Sequence, residues 1–142
     1  MKLQLTLVAV VALFLTACGG QVSVYRGTRT SSSLSDGKTF TVREEASAIY
    51  LYPGSDENTQ VLEGLFSTGI ELRRVGADSF AIQPLTTTYS TGPDYWTKGA
   101  ITDGTATISA TKASFTLHGN EEGMGSSSTQ RTFTLTFDGQ RL

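Results

Sequence analysis

Short runs in which apolar and polar residues alternate fill most of the chain after residue 21. The cleanest run is Thr132–Phe137, with phenylalanine or leucine at odd positions and threonine at even positions. The same alternation occurs in Thr39–Val42, Thr105–Ile108 and Ser114–Leu117. Because successive side chains of a strand point to opposite faces, a period of two predicts strands with one buried and one wet face. Threonine, branched at Cβ, suits the wet face.

Turn signals separate these runs and recur about every 8–12 residues, the spacing typical of an all-β sandwich or barrel. Among them, Asp103-Gly104 predicts a tight hairpin between Gly99–Thr102 and Thr105–Ala110, since glycine accepts a positive φ. Asp138-Gly139 is predicted to end the last strand. The other predicted turns are Asp36-Gly37, Pro53-Gly54 and Gly76-Ala77-Asp78.

Two segments do not fit the strand pattern. Thr30–Ser35 is mostly serine and predicts a flexible loop. No helical period of useful length is present in the body of the chain, and Val61–Phe66 predicts at most one short helical turn.

The pattern predicts eight to ten strands in a mostly up-and-down order. Such a meander must protect its edge strands, and closure into a ring is the simplest way. We therefore predict an all-β fold, a single antiparallel up-and-down β-barrel, with a two-sheet β-sandwich as the alternative. The expected core is apolar and comes from the inward positions of these strands. It comprises Val24, Phe40, Val42, Ile49, Leu51, Ile70, Leu72, Phe80, Ile82, Ile101, Ile108, Phe115, Leu117, Phe133, Leu135 and Phe137.

The first strand contains Tyr25-Arg26-Gly27-Thr28-Arg29, which is similar to lipocalins in one respect. Lipocalins, which are small ligand-binding barrels, carry Gly-x-Trp in their first strand, covered by an arginine from the last strand. Here Gly27 is followed by Thr28 and Arg29, with no tryptophan, and Arg131 alone does not complete the motif. The resemblance implies a lipocalin-like architecture only.

An apolar segment stands at the start of the chain. Met1-Lys2 is followed by Leu3–Leu15, which only Gln4 and Thr6 interrupt. A short positive start, an apolar core and small residues at the cleavage point are the layout of a secretory signal peptide. A membrane-spanning helix needs ~20 apolar residues, so this segment is too short to span.

The segment ends in Leu15-Thr16-Ala17-Cys18, which contains the only cysteine of the chain. This ending resembles the lipobox of bacterial lipoproteins. The resemblance implies that residues 1–17 are removed, that Cys18 carries a diacylglyceryl group on sulfur, and that the new amino terminus is acylated. Gly19 is not the aspartate that retains such proteins in the inner membrane, so the resemblance implies a lipid-anchored protein of the bacterial cell envelope, at the outer membrane.

The predicted organisation is a signal peptide at 1–17, a lipidated cysteine and short tether at 18–21, and one globular domain at 22–142. Removing 17 of 142 residues leaves 125, enough for a single core. The tether spans ~10 Å when extended, so the domain is expected to lie against the membrane. With Cys18 acylated, no thiol remains for a disulfide or a thiolate metal site.

The charge argues against nucleic acid as a partner. The full chain has 11 basic and 13 acidic residues, a net charge of −2, and loss of Lys2 takes the net charge to −3. The arginines are dispersed and form no basic patch, which nucleic-acid binding would need. Attachment to the membrane is therefore expected through the lipid alone.

Candidate catalytic residues are few. His118, the only histidine, and Glu121 have a His-x-x-Glu spacing, but one histidine and one carboxylate rarely hold a metal alone. No nucleophile elbow marks a catalytic serine, and no motif frames a pair of carboxylates. We predict no enzymatic activity, no metal and no cofactor, with a hydrolase as a remote alternative.

The stretch Tyr89–Trp96 is the most distinctive after the lipobox. It holds the only tryptophan, two tyrosines and an aspartate around a Gly-Pro turn. Aromatic faces beside a carboxylate suit a sugar ring or a partner protein. The candidate contact residues are Tyr89, Asp94, Tyr95 and Trp96; the alternative is that Trp96 plugs one end of the barrel.

The pattern is consistent with two functions. The first is a non-catalytic docking module for another envelope protein, and the alternative is a barrel that binds a small apolar or glycan ligand. An eight-stranded barrel is just wide enough to be filled by its own side chains or to hold one small ligand. The inward phenylalanines, Phe40, Phe80, Phe115, Phe133 and Phe137, favour a filled interior and hence docking.

Overall fold

The computed structural model describes residues 20–66, 68–92, 95–124 and 129–142, with the backbone alone for residues 89–92, 95, 96 and 124. It is built of nine strands joined in one antiparallel sheet. The strands are β1 (Ser23–Ser35), β2 (Lys38–Pro53), β3 (Thr59–Glu63), β4 (Ile70–Arg74), β5 (Ser79–Ile82), β6 (Leu85–Gly92), β7 (Tyr95–Ile108), β8 (Lys112–Met124) and β9 (Gln130–Arg141).

The sheet closes into a ring because β5 pairs with β7 as well as with β4. Strands β5 and β6 lie along the same side of β7 and keep one register on it from Ser79 to Ser90, with no pairing to β7 at residues 82–84. Proline has no N–H to donate to the ladder, which accounts for the break. With β5 and β6 counted as one interrupted strand, the ring has eight members. The prediction of an up-and-down barrel is confirmed.

The interior of the ring is packed with the protein's own side chains. Ile70, Leu72 and Leu117 have no exposed surface, and the stacked rings of Phe115 and Phe137 have centroids 5.3 Å apart. At the closed end the guanidinium of Arg74 lies 4.7 Å from the centre of the Phe80 ring. The filled interior stabilises the ring by removing apolar surface from water.

Most of the predicted core is buried, with four exceptions. Phe40 and Val42 are 57% and 59% exposed, and Val24 is only half-buried. Phe40 and Val42 lie on a part of β2 that extends past the closed ring, so nothing among the described residues covers them. Ile108 is partly buried against the core. The buried hydrophobic residues that the prediction did not include are Tyr25, Leu62, Ala106 and Ala113.

Two of the predicted turns are wrong. Asp103-Gly104 lies inside β7, at a bulge where the pairing with β8 shifts register. A Cβ at Gly104 would stand 2.7 Å from the carbonyl oxygen of Thr116, so this glycine permits a close strand approach and not a turn. Asp138-Gly139 lies inside β9 for a similar reason, because the ring of Phe137 packs over Gly139.

The other turns are as predicted. Asp36 and Gly37 join β1 to β2 with φ of 51° and 73°, the left-handed pair that a two-residue type I′ hairpin needs. Pro53 ends β2, and residues 76–78 separate β4 from β5. Val61–Phe66 forms no helical turn; β3 runs to Glu63 and the chain then bends.

Among the residues that the structure describes, no helix is long and apolar enough to cross a membrane.

Candidate functional site

The first hairpin, β1 and β2, reaches beyond the closed ring. A bulge between Gly27 and Arg29 on β1 sets two residues of β2, Glu45 and Ala46, against Thr28 alone. Ala46 has a φ of 61°, which residues other than glycine rarely adopt. A bulge bends its strand and changes the direction of the residues beyond it. Here it separates the part of β2 that belongs to the ring from the part that projects, Lys38–Glu45, which we call the projecting segment.

The projecting segment has a strand on one side only. It pairs with β1 along its length, from Lys38 opposite Ser35 to Glu44 opposite Arg29. Strand β3 pairs with β2 only from Tyr50 to Pro53. Its second side therefore has no strand partner among the described residues, and its outward backbone N–H and C=O groups form a free edge.

Two large apolar side chains stand on this edge. Phe40 lies opposite Ser33, and Ser33 lies opposite Phe133, so the three share the inner face of the sheet. Phe133 is 8% exposed and its ring centre lies 5.9 Å from that of Phe66. Phe40 gains no such cover because, among the described residues, no strand flanks its second side. Val42, which stands opposite Ser31, is exposed for the same reason.

Charged residues frame the apolar pair. Arg29 on β1 forms an ion pair of 2.7 Å with Glu44, whose side chain is 48% exposed, and Ser47 donates a hydrogen bond to the same carboxylate. Arg43 and Glu45 form a second ion pair on the opposite face, at 3.4 Å and largely in water. Lys38 at the other end of the segment is exposed. The inner face of the edge therefore has Lys38 at one end, the apolar pair in the middle and the Arg29–Glu44 ion pair at the other end.

The outer surface of the ring is polar where β7, β8 and β9 form it. Thr30, Thr136, Thr116 and Thr105 face one another in register across β1, β9, β8 and β7. The depressions on this surface, floored mainly by threonine and serine, lie outside the ring and not in its interior. These strands thus present hydroxyl groups to water, as the alternation predicts.

The structure separates the two residues of the candidate acid–base pair. His118 points to the outer face, where its Nδ1 lies 3.1 Å from the hydroxyl of Thr134. Glu121, an odd number of residues further along β8, points to the inner face and pairs with Arg131 at 3.0 Å. In the described residues no three histidine, cysteine or acidic side chains come together as metal ligands.

The predicted contact residues are only partly placed. Tyr89 pairs with Thr97 and Trp96 with Ser90 across the β6–β7 hairpin, and Tyr95 pairs with Gly92. The side chains of Tyr89, Tyr95 and Trp96, and the whole of Asp94, lie outside what the structure describes, as does Cys18. Their roles stay predictions.

Sequence reasoning misses the exposure of Phe40 and Val42, and no local pattern marks it. The prediction of a flexible loop at Thr30–Ser35 is wrong, because this serine-rich stretch is the second half of β1. The same serines lie opposite Phe133 and Leu135 of β9, which are buried, so serine on β1 does not by itself leave a neighbour exposed. The projecting segment differs in having no strand on its second side among the described residues.

The fold and this surface together define a filled, eight-stranded barrel with a projecting hairpin edge. No protein-family model matches the chain, and no curated protein matches it. The chain is similar to the solved structure of Ail, the attachment invasion locus protein of Yersinia pestis, at 12% identity over 87% of this chain and 99% of that chain, with a TM-score of 0.38. At that level the similarity does not bear on function.

Proposed function

We propose that this chain is a lipid-anchored lipoprotein of the bacterial cell envelope whose barrel is a non-catalytic docking module. Its partner would be an extended polypeptide segment that adds to the free edge of the projecting segment. The observation that carries the proposal is the open backbone edge of Lys38–Glu45, together with the exposed side chains of Phe40 and Val42.

Strand addition uses both features of this edge. The outward N–H and C=O groups supply main-chain hydrogen bonds to an added strand, and alternate side chains supply specificity. Burial of a phenylalanine or valine side chain stabilises a complex by about 1.5–3 kcal/mol. Exposed large apolar residues on an unpaired strand are otherwise a liability for aggregation. The charges at both ends of the segment limit the partners to those that complement them.

The interior supports docking over binding of a small ligand inside the barrel. Phe80, Phe115 and Phe137 are at most 5% exposed and fill the ring. A small apolar or glycan ligand would have to displace them. The separation of His118 from Glu121 across the sheet supports a role without catalysis.

The proposed anchor is consistent with the direction of the chain. Strand β1 begins at Ser23, near the closed end of the ring, where Tyr25 lies opposite Arg141. Its 13 residues then run to the hairpin tip at Ser35, about 40 Å away at 3.3 Å per residue. A lipid on Cys18 would hold the closed end near the membrane and leave the tip in water.

The polar outer surface of β8 and β9 supports a lipid as the means of attachment. A barrel that spans a membrane carries an apolar band on its outer face. The outward positions of β8 and β9 hold Ser114, Thr116, His118, Thr134 and Thr136 instead. We infer that the domain stands beside the outer membrane and that the acyl chains alone enter it.

The docking surface is tested by the double variant Phe40→Thr/Val42→Thr. Both side chains are mostly in water, so the free energy of unfolding should change by less than about 1 kcal/mol. The docked complex should be lost, since the apolar contacts are gone. Native electrophoresis of the lipoprotein, solubilised from its own membranes in mild detergent, should show a shift from the complex to the free chain.

Val75→Thr is the matched control, because Val75 is 68% exposed and lies outside the hairpin. It should leave the complex intact. If the double variant and the wild-type protein migrate alike, the projecting segment is not the docking surface.

A further inference from the structure

We propose that the free edge of Lys38–Glu45 pairs with the same edge of a second copy of this chain, in an antiparallel register centred on Thr41. The inference rests on the docking function proposed for the projecting segment, and it names the partner. It comes from the order of side chains along the edge. When a second copy of the edge runs in the opposite direction, its side chains are complementary to those of the first.

Centring the pair on Thr41 determines which residues of the two copies lie opposite each other. When a strand pairs antiparallel with its own copy about Thr41, Lys38 lies opposite Glu44 of the second copy, and Phe40 lies opposite Val42 of the second copy. The two-fold axis repeats both contacts. Opposite residues share a face, so the pair would carry one continuous inner face with salt bridges at both ends and apolar contacts in the middle.

The outer face fits the same register. Thr41 lies opposite Thr41 of the second copy, a pairing that stabilises antiparallel sheets. Thr39 lies opposite Arg43 of the second copy, so no like charges meet. Each contact between the two copies is therefore neutral or favourable. The four contacts are Lys38–Glu44, Phe40–Val42, Thr39–Arg43 and Thr41–Thr41.

Neighbouring registers are unfavourable. A shift that centres the pair on Phe40 places Lys38 opposite Val42, and one that centres it on Val42 places Phe40 opposite Glu44. Each sets a charge against an apolar side chain, which costs free energy because the charge loses water without gaining a partner. A one-residue shift would bring the inner face of one copy onto the outer face of the other.

In the single chain the side chains that would make these contacts are exposed to water. Phe40 and Val42 are 57% and 59% exposed. Glu44 is fixed toward the inner face by Arg29 at 2.7 Å and is still 48% exposed. Among the described residues no carboxylate pairs with Lys38. In the pair, Lys38 of one copy would meet the exposed side of Glu44 of the other, which keeps its ion pair with Arg29.

The pairing also sets the direction of the two anchors. An antiparallel pair reverses one copy relative to the other, so the two closed ends point away from each other. Lipids on the two Cys18 residues would then lie at opposite ends of the pair. The pair suits copies held on two facing membrane surfaces and not upright neighbours in one membrane.

The test is disulfide formation from single cysteines placed on the edge of the full lipidated chain, purified in mild detergent and exposed to a mild oxidant. In Thr41→Cys the two cysteines face each other at the two-fold axis. In Thr39→Cys they stand four residues apart along the strands, about 13 Å, beyond the ~7 Å that a disulfide can bridge. We expect about tenfold more linked dimer from Thr41→Cys than from Thr39→Cys.

Lys38→Glu, added to Thr41→Cys, should lower the yield because it sets a carboxylate at position 38 against Glu44 of the second copy. Lys98→Glu makes the same charge change on β7 and should not lower the yield.

Wild type, with Cys18 alone, measures background linkage. Equal linkage at positions 39 and 41, or none at 41, overturns self-pairing. If position 41 fails to link while the double variant Phe40→Thr/Val42→Thr still loses a complex with another protein, the docking function stands and self-pairing falls.

Discussion

Replacement of Phe137 by alanine is expected to lower the free energy of unfolding by about 3–5 kcal/mol. Phe137 is 2% exposed, its ring stacks on Phe115 with centroids 5.3 Å apart, and it packs over Gly139. Truncation would remove the stacked contact and leave a cavity that the closed ring cannot collapse to fill. Since a domain of this size is stable by about 5–15 kcal/mol, the loss is a large share of the total. Urea denaturation followed by tryptophan fluorescence measures it.

Phe40→Ala is the matched control for this variant. Phe40 faces the same side of the sheet but is 57% exposed, so its truncation should cost less than about 1 kcal/mol. Equal losses from the two variants would show that the projecting segment is packed as tightly as the ring, which would contradict the fold described here.

Cys18→Ser is expected to abolish lipidation completely. The thioether to the diacylglyceryl group needs the cysteine sulfur, and the lipobox resemblance implies that the cut before residue 18 takes place after lipidation. Without the sulfur the variant should have no acyl mass, and without lipidation it should retain residues 1–17. It should also lack the two or more acyl chains that stable membrane attachment needs. Mass spectrometry of the amino-terminal peptide distinguishes the two forms even if the uncut signal segment itself stays in the membrane.

Gln21→Cys in the Cys18→Ser background is the control, because it moves the thiol out of the lipobox by three positions. It should not restore lipidation. A Cys18→Ser chain that is cut and membrane-held like the wild type would contradict the lipoprotein assignment, and so would a wild-type chain without acyl mass.

The barrel is predictable because its best strands carry a strict alternation. In β9, Phe133, Leu135 and Phe137 are buried while the threonines between them are not, as the period of two requires. The ring closure is predictable only as the simplest way to protect edges. Its actual form, with β5 and β6 sharing one side of β7 across Pro84, depends on long-range pairing that no local pattern records.

The wrong turns and the wrongly predicted burial of Phe40 and Val42 have a common cause. A local sequence pattern does not show which other strands pack against a segment. Asp-Gly at 36–37 makes a turn, yet Asp103-Gly104 sits at a bulge where another strand approaches closely. Alternation predicts that Phe40 and Val42 lie on the inner face, and they do lie there. Whether that face is covered depends on how far β3 extends along β2, and the sequence of β2 holds no information on it.

Photo-crosslinking from the projecting segment in native envelope membranes tests the docking function most directly. A photoreactive amino acid at position 42 should give a covalent adduct with a polypeptide, whether that is a second copy or another protein. The same group at position 75, which is at least as exposed but lies outside the hairpin, should give none. Absence of an adduct from position 42, or equal adducts from both positions, would contradict a docking role for this edge.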